Sequence, residues 1–180
     1  MKGFRVLLGI ALAAVAVVGC APKDVAGKER VEDGAVAENA QPKYDVVLSL
    51  PSDLEGVEVF SQGDSRIYTQ NQGEYTIAVE VLQADSPEIM LRELTGLNPE
   101  RLTVMTTWQG DFPRYDLTWA CAGESGLMVC RGVVLDDGCH FYAVTATMPE
   151  TLTAEYTERV ESCFAGLSLT ENTDGTFTAP

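Results

Sequence analysis

Leu127-Met128-Val129-Cys130-Arg131-Gly132-Val133-Val134-Leu135-Asp136-Asp137-Gly138-Cys139-His140-Phe141-Tyr142-Ala143-Val144-Thr145-Ala146-Thr147 is the stretch that decides the fold. Two β-branched, apolar runs flank Asp-Asp-Gly, a turn signal. Just upstream, Arg114 to Cys121 is a third such run, set off by Gly123-Glu124-Ser125-Gly126. Three strands joined by two tight turns read as an antiparallel meander. A helix over about Thr151–Phe164 follows, with Leu152, Tyr156, Val160, Cys163 and Phe164 at helical spacing on one stripe and Gly166 past its end. If Cys121 lies opposite Cys130, the first turn centres between Ser125 and Gly126. Trp119 then faces Gly132 and Leu117 faces Val134, and an indole over a glycine is a favourable cross-strand arrangement.

Working outward, Tyr44 to Leu50 alternates as a strand and stops at Pro51. Val57 to Phe60 is a short second candidate. Arg66–Gln70 and Tyr75–Leu82 read as a hairpin around residues 71–74, with Tyr75, Ile77, Val79 and Val81 on one face. Ser86 is a good N-cap, Pro87 fits the first helical position and Gly96 fits the stop, so a helix is expected between them with Met90, Leu91 and Leu94 inward. Thr103–Gln109 reads as a further strand, turned by Gly110-Asp111. The fold class expected is α+β: an antiparallel twisted sheet with helices packed on its faces, over residues 44–170, followed by a polar, frayed tail at 171–180.

The amino terminus carries Lys2 and Arg5, an apolar run from Val6 to Val18, then Gly19-Cys20. This is the pattern of a secretory signal, too short to span a bilayer as a helix. Val17-Val18-Gly19-Cys20 looks like a bacterial lipobox. The expectation is a signal peptide over 1–19, a diacylglyceryl group on Cys20, and a polar linker over 20–43 without aromatic residues or apolar periodicity. As a flexible coil the linker would span about 25–30 Å. The chain has 12 basic and 27 acidic residues, a net charge of −15. Losing residues 1–19 leaves 10 basic residues and a charge of −17. That balance argues against nucleic acid as a partner, which needs Lys/Arg patches.

Four cysteines remain beyond Cys20, an even number in an oxidising compartment. They allow three connectivities. The meander places Cys139 at the opposite end of the sheet from Cys121, and the last helix runs back toward it. Cys121–Cys130 and Cys139–Cys163 are therefore the pairs expected. No Cys-x-x-Cys spacing is present, and no metal or other cofactor is expected. His140 is the only histidine; it is expected opposite Val134, with only Asp136 and Asp137 as obvious acidic neighbours. Asp53, Glu55 and Glu58 lack calcium-loop spacing. Nucleotide-binding and nucleophile-elbow motifs are absent. A non-enzyme is expected. The candidate binding residues are Asp111, Phe112 and Glu124, on the two loops that can vary without harming the sheet.

Leu50-Pro51 closing the first strand, the mid-chain helix, Gly132-Val133-Val134-Leu135-Asp136-Asp137-Gly138, Tyr142-Ala143-Val144-Thr145-Ala146-Thr147, and a last helix ending Cys163-Phe164-Ala165-Gly166-Leu167 together resemble the PsbP-like family and the bacterial lipoproteins built on that fold. There the last helix commonly ends in a Ser-Phe pair near the position of Cys163-Phe164. The resemblance covers about Tyr44 to Leu169. The four domain cysteines and the missing aromatic-Gly-aromatic lead-in depart from the family pattern. The resemblance implies an α/β/α sandwich and a non-catalytic role in assembly, stabilisation or adaptor binding. The function expected is thus a tethered protein-interaction module on the outer side of a cell membrane, with small-ligand binding as the alternative.

Overall fold

The computed structural model describes residues 41–54, 58–62, 64–69, 75–124, 126–173 and 176–180. The expected signal, Cys20, the expected linker up to residue 40, and residues 70–74 with the expected turn lie outside the described residues. The elements are β1 (Tyr44–Val47), β2 (Glu58–Gln62), β3 (Ser65–Thr69), β4 (Thr76–Leu82), α1 (Pro87–Thr95), β5 (Thr103–Gln109), β6 (Phe112–Gly123), β7 (Gly126–Asp136), β8 (Phe141–Pro149), α2 (Thr153–Ala165) and β9 (Ser168–Glu171). Single 3-10 turns, Pro99–Arg101 and Glu150–Leu152, precede β5 and α2.

β2 to β8 form one antiparallel sheet in the order β2-β3-β4-β8-β7-β6-β5. The meander lies near its centre, and this explains the unbroken apolar run of β7. Val133, Val134 and Leu135 are all buried because both faces of the sheet are covered. On one face α2 lays Tyr156, Val160, Cys163 and Phe164 against Ile77, Val79, Val133, Leu135, Tyr142 and Val144. On the other, α1 sets Met90 and Leu91 against Leu117, Val134, Phe141 and Ala143. The period-2 alternation of each strand deals its side chains to these two cores. The α+β sandwich expected from the sequence is the one observed.

α1 follows its sequence signals closely. The Ser86 side chain accepts from Ile89 N–H, Pro87 opens the helix, and Gly96 closes it at φ 70° with its N–H donating to the Arg92 carbonyl. An L-residue in that left-handed conformation would be strained, which is why glycine ends the helix.

Three expectations change. β1 is shorter than Tyr44–Leu50 and pairs with β9 in a separate two-stranded sheet, Val46 opposite Leu169. The tail does not fray as a whole. Phe177 is buried in the α2-side core, the Thr178 carbonyl accepts from Val46 N–H at 3.1 Å, and Thr178 N–H donates to Asp45 Oδ1 at 2.8 Å. One buried phenyl ring contributes about 2 kcal/mol, enough to hold a short polar segment. The β6–β7 register is the third. Gly123 faces Gly126, so Cys121 faces Met128, Trp119 faces Cys130, and Leu117 faces Gly132. The turn falls one residue earlier than expected, and Gly126, at φ 130°, takes a conformation open to glycine as the chain enters β7. Gly132 still lies beneath Trp119, diagonally: a Cβ there would stand 3.4 Å from Trp119 Cζ3 and 3.4 Å from Leu117 Cγ.

Candidate functional site

Polar chemistry gathers at the β7–β8 end of the meander. Asp136 and Asp137 form the turn the sequence announced, but they divide the work. Asp136 Oδ1 accepts from Gly138 N–H at 2.7 Å. Asp137 folds inward, and its Oδ1 accepts from Cys139 N–H at 2.7 Å and His140 N–H at 2.6 Å. Its Oδ2 accepts from the Tyr142 hydroxyl at 3.0 Å and lies 3.8 Å from His140 Nδ1. Burial alone would raise the Asp137 pKa. The His140 side chain, the two backbone N–H groups and the Tyr142 hydroxyl together outweigh it and hold the carboxyl below its ordinary value. Burial, with the neighbouring Asp137 charge and hydrogen bond, pushes the Tyr142 hydroxyl well above the usual range.

Tyr142 relays this turn to the start of the domain. Its hydroxyl oxygen accepts from Tyr44 N–H at 3.2 Å. The Tyr44 ring stands edge-on to Phe112 at 5.2 Å and to Tyr142 at 6.0 Å. Beside them Arg114 grips Asp116 through two bonds of 2.8 and 2.9 Å and donates to Gln109 Oε1 at 2.6 Å. It reaches the Phe164 carbonyl at the end of α2 at 3.5 Å, where a cation suits the helix dipole. Gln109 in turn donates to the Leu167 carbonyl. The Arg114–Asp116 pair could have been read from the sequence, since i and i+2 share a strand face. The inward turn of Asp137 left no such signal.

His140 sits in this turn, not opposite Val134. β8 begins at Phe141, which pairs with Asp136, and Val134 faces Ala143. The His140 carbonyl accepts from Asp137 N–H at 3.1 Å. The imidazole is buried, so this end is built from groups that bond to one another and to their own backbone. Among the described residues no three His, Cys, Asp or Glu side chains converge on a metal-binding geometry. Asp53 accepts from the Tyr75 hydroxyl at 2.8 Å and pairs with Arg159 at 3.1 Å.

The four domain cysteines stand as free thiols. Cys121 and Cys130 are brought together at the other end of the meander, Sγ to Sγ 3.4 Å, against about 2.05 Å for a bond. They meet diagonally, two residues off the direct opposition expected. Burial pushes the Cys130 thiol up to about 12, whereas Cys121 is partly exposed. Cys139 lies in the β7–β8 turn, 3.8 Å from Lys43 Nζ. Cys163 is buried inside the core on α2, and burial raises its pKa to about 11.

The loop candidates separate. Asp111 is exposed in the β5–β6 turn, and Phe112 packs inward against Tyr44. Glu124 is exposed in the β6–β7 turn. The twelve residues of β6 lie between Asp111 and Glu124, roughly 36 Å of strand. They belong to opposite ends of the sheet and cannot form one surface. β5 has the bounds expected from the sequence, and its place at the edge of the sheet is what the sequence does not show. It is an edge strand, and it exposes Met105 (60%) and Trp108 (55%).

No family model matches the sequence, and no curated protein matches it. Among solved structures, the chain is similar to a crystal structure from Bacteroides thetaiotaomicron, with 13% identity and a TM-score of 0.47 over 76% of this chain; it spans 50% of that protein's length. It is also similar to the solution structure of cyanobacterial PsbP (CyanoP) from Synechocystis, with 6% identity and a TM-score of 0.46 over 78% of this chain and 99% of that one. LpqN of Mycobacterium tuberculosis, described as involved in cell envelope biogenesis, is similar over 74% of this chain and 87% of its own, with 12% identity and a TM-score of 0.50. At that identity the likeness to LpqN is one of fold.

Proposed function

We propose that this chain is a lipoprotein tethered through Cys20 to the outer side of a cell membrane, and that its domain is a non-catalytic protein-interaction or assembly module. The observation that carries the reading is the contrast between buried chemistry and exposed edge. Asp137, His140, Cys130 and Cys163 lie in the interior or bond within their own turn, while β5 is an uncharged edge strand that exposes Met105 and Trp108. The signal pattern ending at Cys20 supports export and lipidation. No helix among the described residues is long and apolar enough to cross a membrane. Stable anchoring needs two acyl chains, because one gives only about 10⁴ M⁻¹. The involvement of LpqN in cell envelope biogenesis fits the same compartment.

The test uses the full chain in a bacterial host with in-cell cross-linking. The expected result is incorporation of a fatty-acid label, lost in Cys20→Ser, and a discrete cross-linked protein species in the membrane fraction. Continued cleavage and membrane attachment of Cys20→Ser would remove the anchor. A small molecule that shifts the melting midpoint, with no cross-linked species, would favour a ligand receptor. Turnover of an ester, peptide or glycan abolished by His140→Ala would replace the module by an enzyme.

A further inference from the structure

Three sulfur atoms gather at the β6–β7 end of the sheet. Cys121 faces Met128 directly, and Cys130 lies two residues along β7 from Met128. Alternate residues of a strand share a face. All three therefore stand on the α1 side, in the same rows as Leu117 and Val134. The two thiols lie 3.4 Å apart. Directly opposed residues have Cβ atoms about 5 Å apart, which puts the Met128 thioether within reach of both. Its side chain leans over Gly123, where a Cβ would stand 3.0 Å from Met128 Sδ. The Thr147 hydroxyl, opposite on β8, donates to Cys130 Sγ at 3.6 Å. Trp119 faces Cys130 from β6. Cys121 and Met128 are half-buried, so the group is open to solvent while Cys130 is not.

We propose that Cys121, Cys130 and Met128 bind one cuprous ion. The donor set selects it, because thiolate and thioether are soft ligands that favour Cu(I). Zinc takes four Cys, His or carboxylate donors, or three and a water. No third donor of those kinds joins the two thiols among the described residues. The chain's one histidine, His140, sits at the other end of β7. Two thiolates and a thioether make a three-coordinate site that suits a soft monovalent ion. The spacing fits as well. Two sulfurs held at about 2.3 Å from one ion stand about 3.7–4.0 Å apart at tetrahedral to trigonal angles. Small side-chain rotations open the 3.4 Å pair to that distance, and Met128 brings in the third sulfur by turning about its own flexible bonds. Binding converts both thiols to thiolates and releases two protons. The copper enters and stays as Cu(I), and no electron moves. A hydroxyl donating to Cys130 Sγ favours the thiolate form there. The sequence carries no metal motif because hairpin register, not spacing along the chain, assembles the three sulfurs.

The experiment uses the full chain in detergent, reduced and held under nitrogen, with Cu(I) alone as the probe and the chelator bicinchoninate as competitor. The wild type should retain one copper that Cys121→Ser loses. Both proteins keep Cys20, Cys139 and Cys163, so the difference isolates the pair. X-ray absorption at the copper edge should show three sulfur neighbours in the wild type and two in Met128→Leu. The affinity of that variant should fall about tenfold, and leucine is close enough to methionine in volume to keep the fold. Bound copper should also protect the thiols: glutathione disulfide should join Cys121 to Cys130 in the metal-free chain and leave the loaded chain reduced. A wild type stripped of copper as readily as Cys121→Ser overturns the site. So does a sulfur shell that Met128→Leu leaves unchanged, tighter retention of Zn(II) than of Cu(I), or equal oxidation of loaded and metal-free chains. None of these failures touches the tethered-module reading, which rests on Cys20.

Discussion

The two ends of the β6–β8 meander share one sheet and nearly identical strand chemistry, yet they are closed by opposite means. At the β7–β8 end a buried carboxylate, Asp137, gathers backbone N–H groups, an imidazole and a phenol. The β6–β7 end carries the exposed Glu124 next to two thiols 3.4 Å apart. The first end is secured by polar bonds already made. The second holds a bond that chemistry has yet to make. What separates them is burial, since Asp137 is shielded by Tyr142, while Glu124 stands in water. A carboxylate in a turn is therefore structural or decorative according to what covers it.

Removing Asp137 should have the largest effect. Asp137→Ala leaves two backbone N–H groups and the Tyr142 hydroxyl without their acceptor, and should cost about 3 kcal/mol by denaturant unfolding. Its pKa is lowered on folding, so the contribution is complete above the unfolded value of about 3.9 and is lost as pH falls through the folded value. Wild type should accordingly lose stability on acidification, with a slope that Asp137→Ala lacks. Equal acid slopes in the two proteins would break the contrast between the ends.

Oxidation should sharpen the comparison from the other side. Glutathione disulfide accepts two electrons as Cys121 and Cys130 each give up a proton and join; the partly exposed Cys121 attacks first and the buried Cys130 resolves. The closed loop is short, and the cross-link should stabilise the domain by roughly 2–3 kcal/mol, read as a rise in midpoint that Cys121→Ser abolishes. Peptide mapping that joins Cys121 to Cys139 instead would contradict the meander. Smaller still, Tyr142→Phe removes one hydroxyl from the closed end and should cost about 1 kcal/mol. Glu124→Gln at the open end should change stability by less than about 0.5 kcal/mol. If the second variant proves the more damaging, the assignment of the two ends is reversed.

Local chemistry was legible in the sequence wherever it is sufficient by itself. Ser86, Pro87 and Gly96 bound α1 because caps act within one turn of helix. The strands of the meander were legible from period and turn residues. Their register was not, because opposing Cys121 to Cys130 is one of two arrangements that bring the sulfurs close, and the diagonal one is observed. Phe177 was lost in a polar segment, since one aromatic gives no periodicity. Asp137 read as an ordinary turn residue, because the groups that reach it from Tyr142 and His140 depend on how β8 is rotated. Of the candidate site, Asp111 was legible as a loop residue. That it flanks an edge strand follows only from the sheet order, which no local pattern encodes.

The pairing of the chain's first described strand with its last has a mechanical meaning. Any pull arriving along the chain from residue 40 meets Lys43, whose carbonyl accepts from Asn172 N–H at 2.8 Å, then Tyr44, held by Tyr142. Beyond them Asp45 and Val46 are tied to Thr178. Tension would break these fastenings one after another before reaching the seven-stranded sheet. Under such a pull β1, β9 and the terminal segment would give way before the central fold.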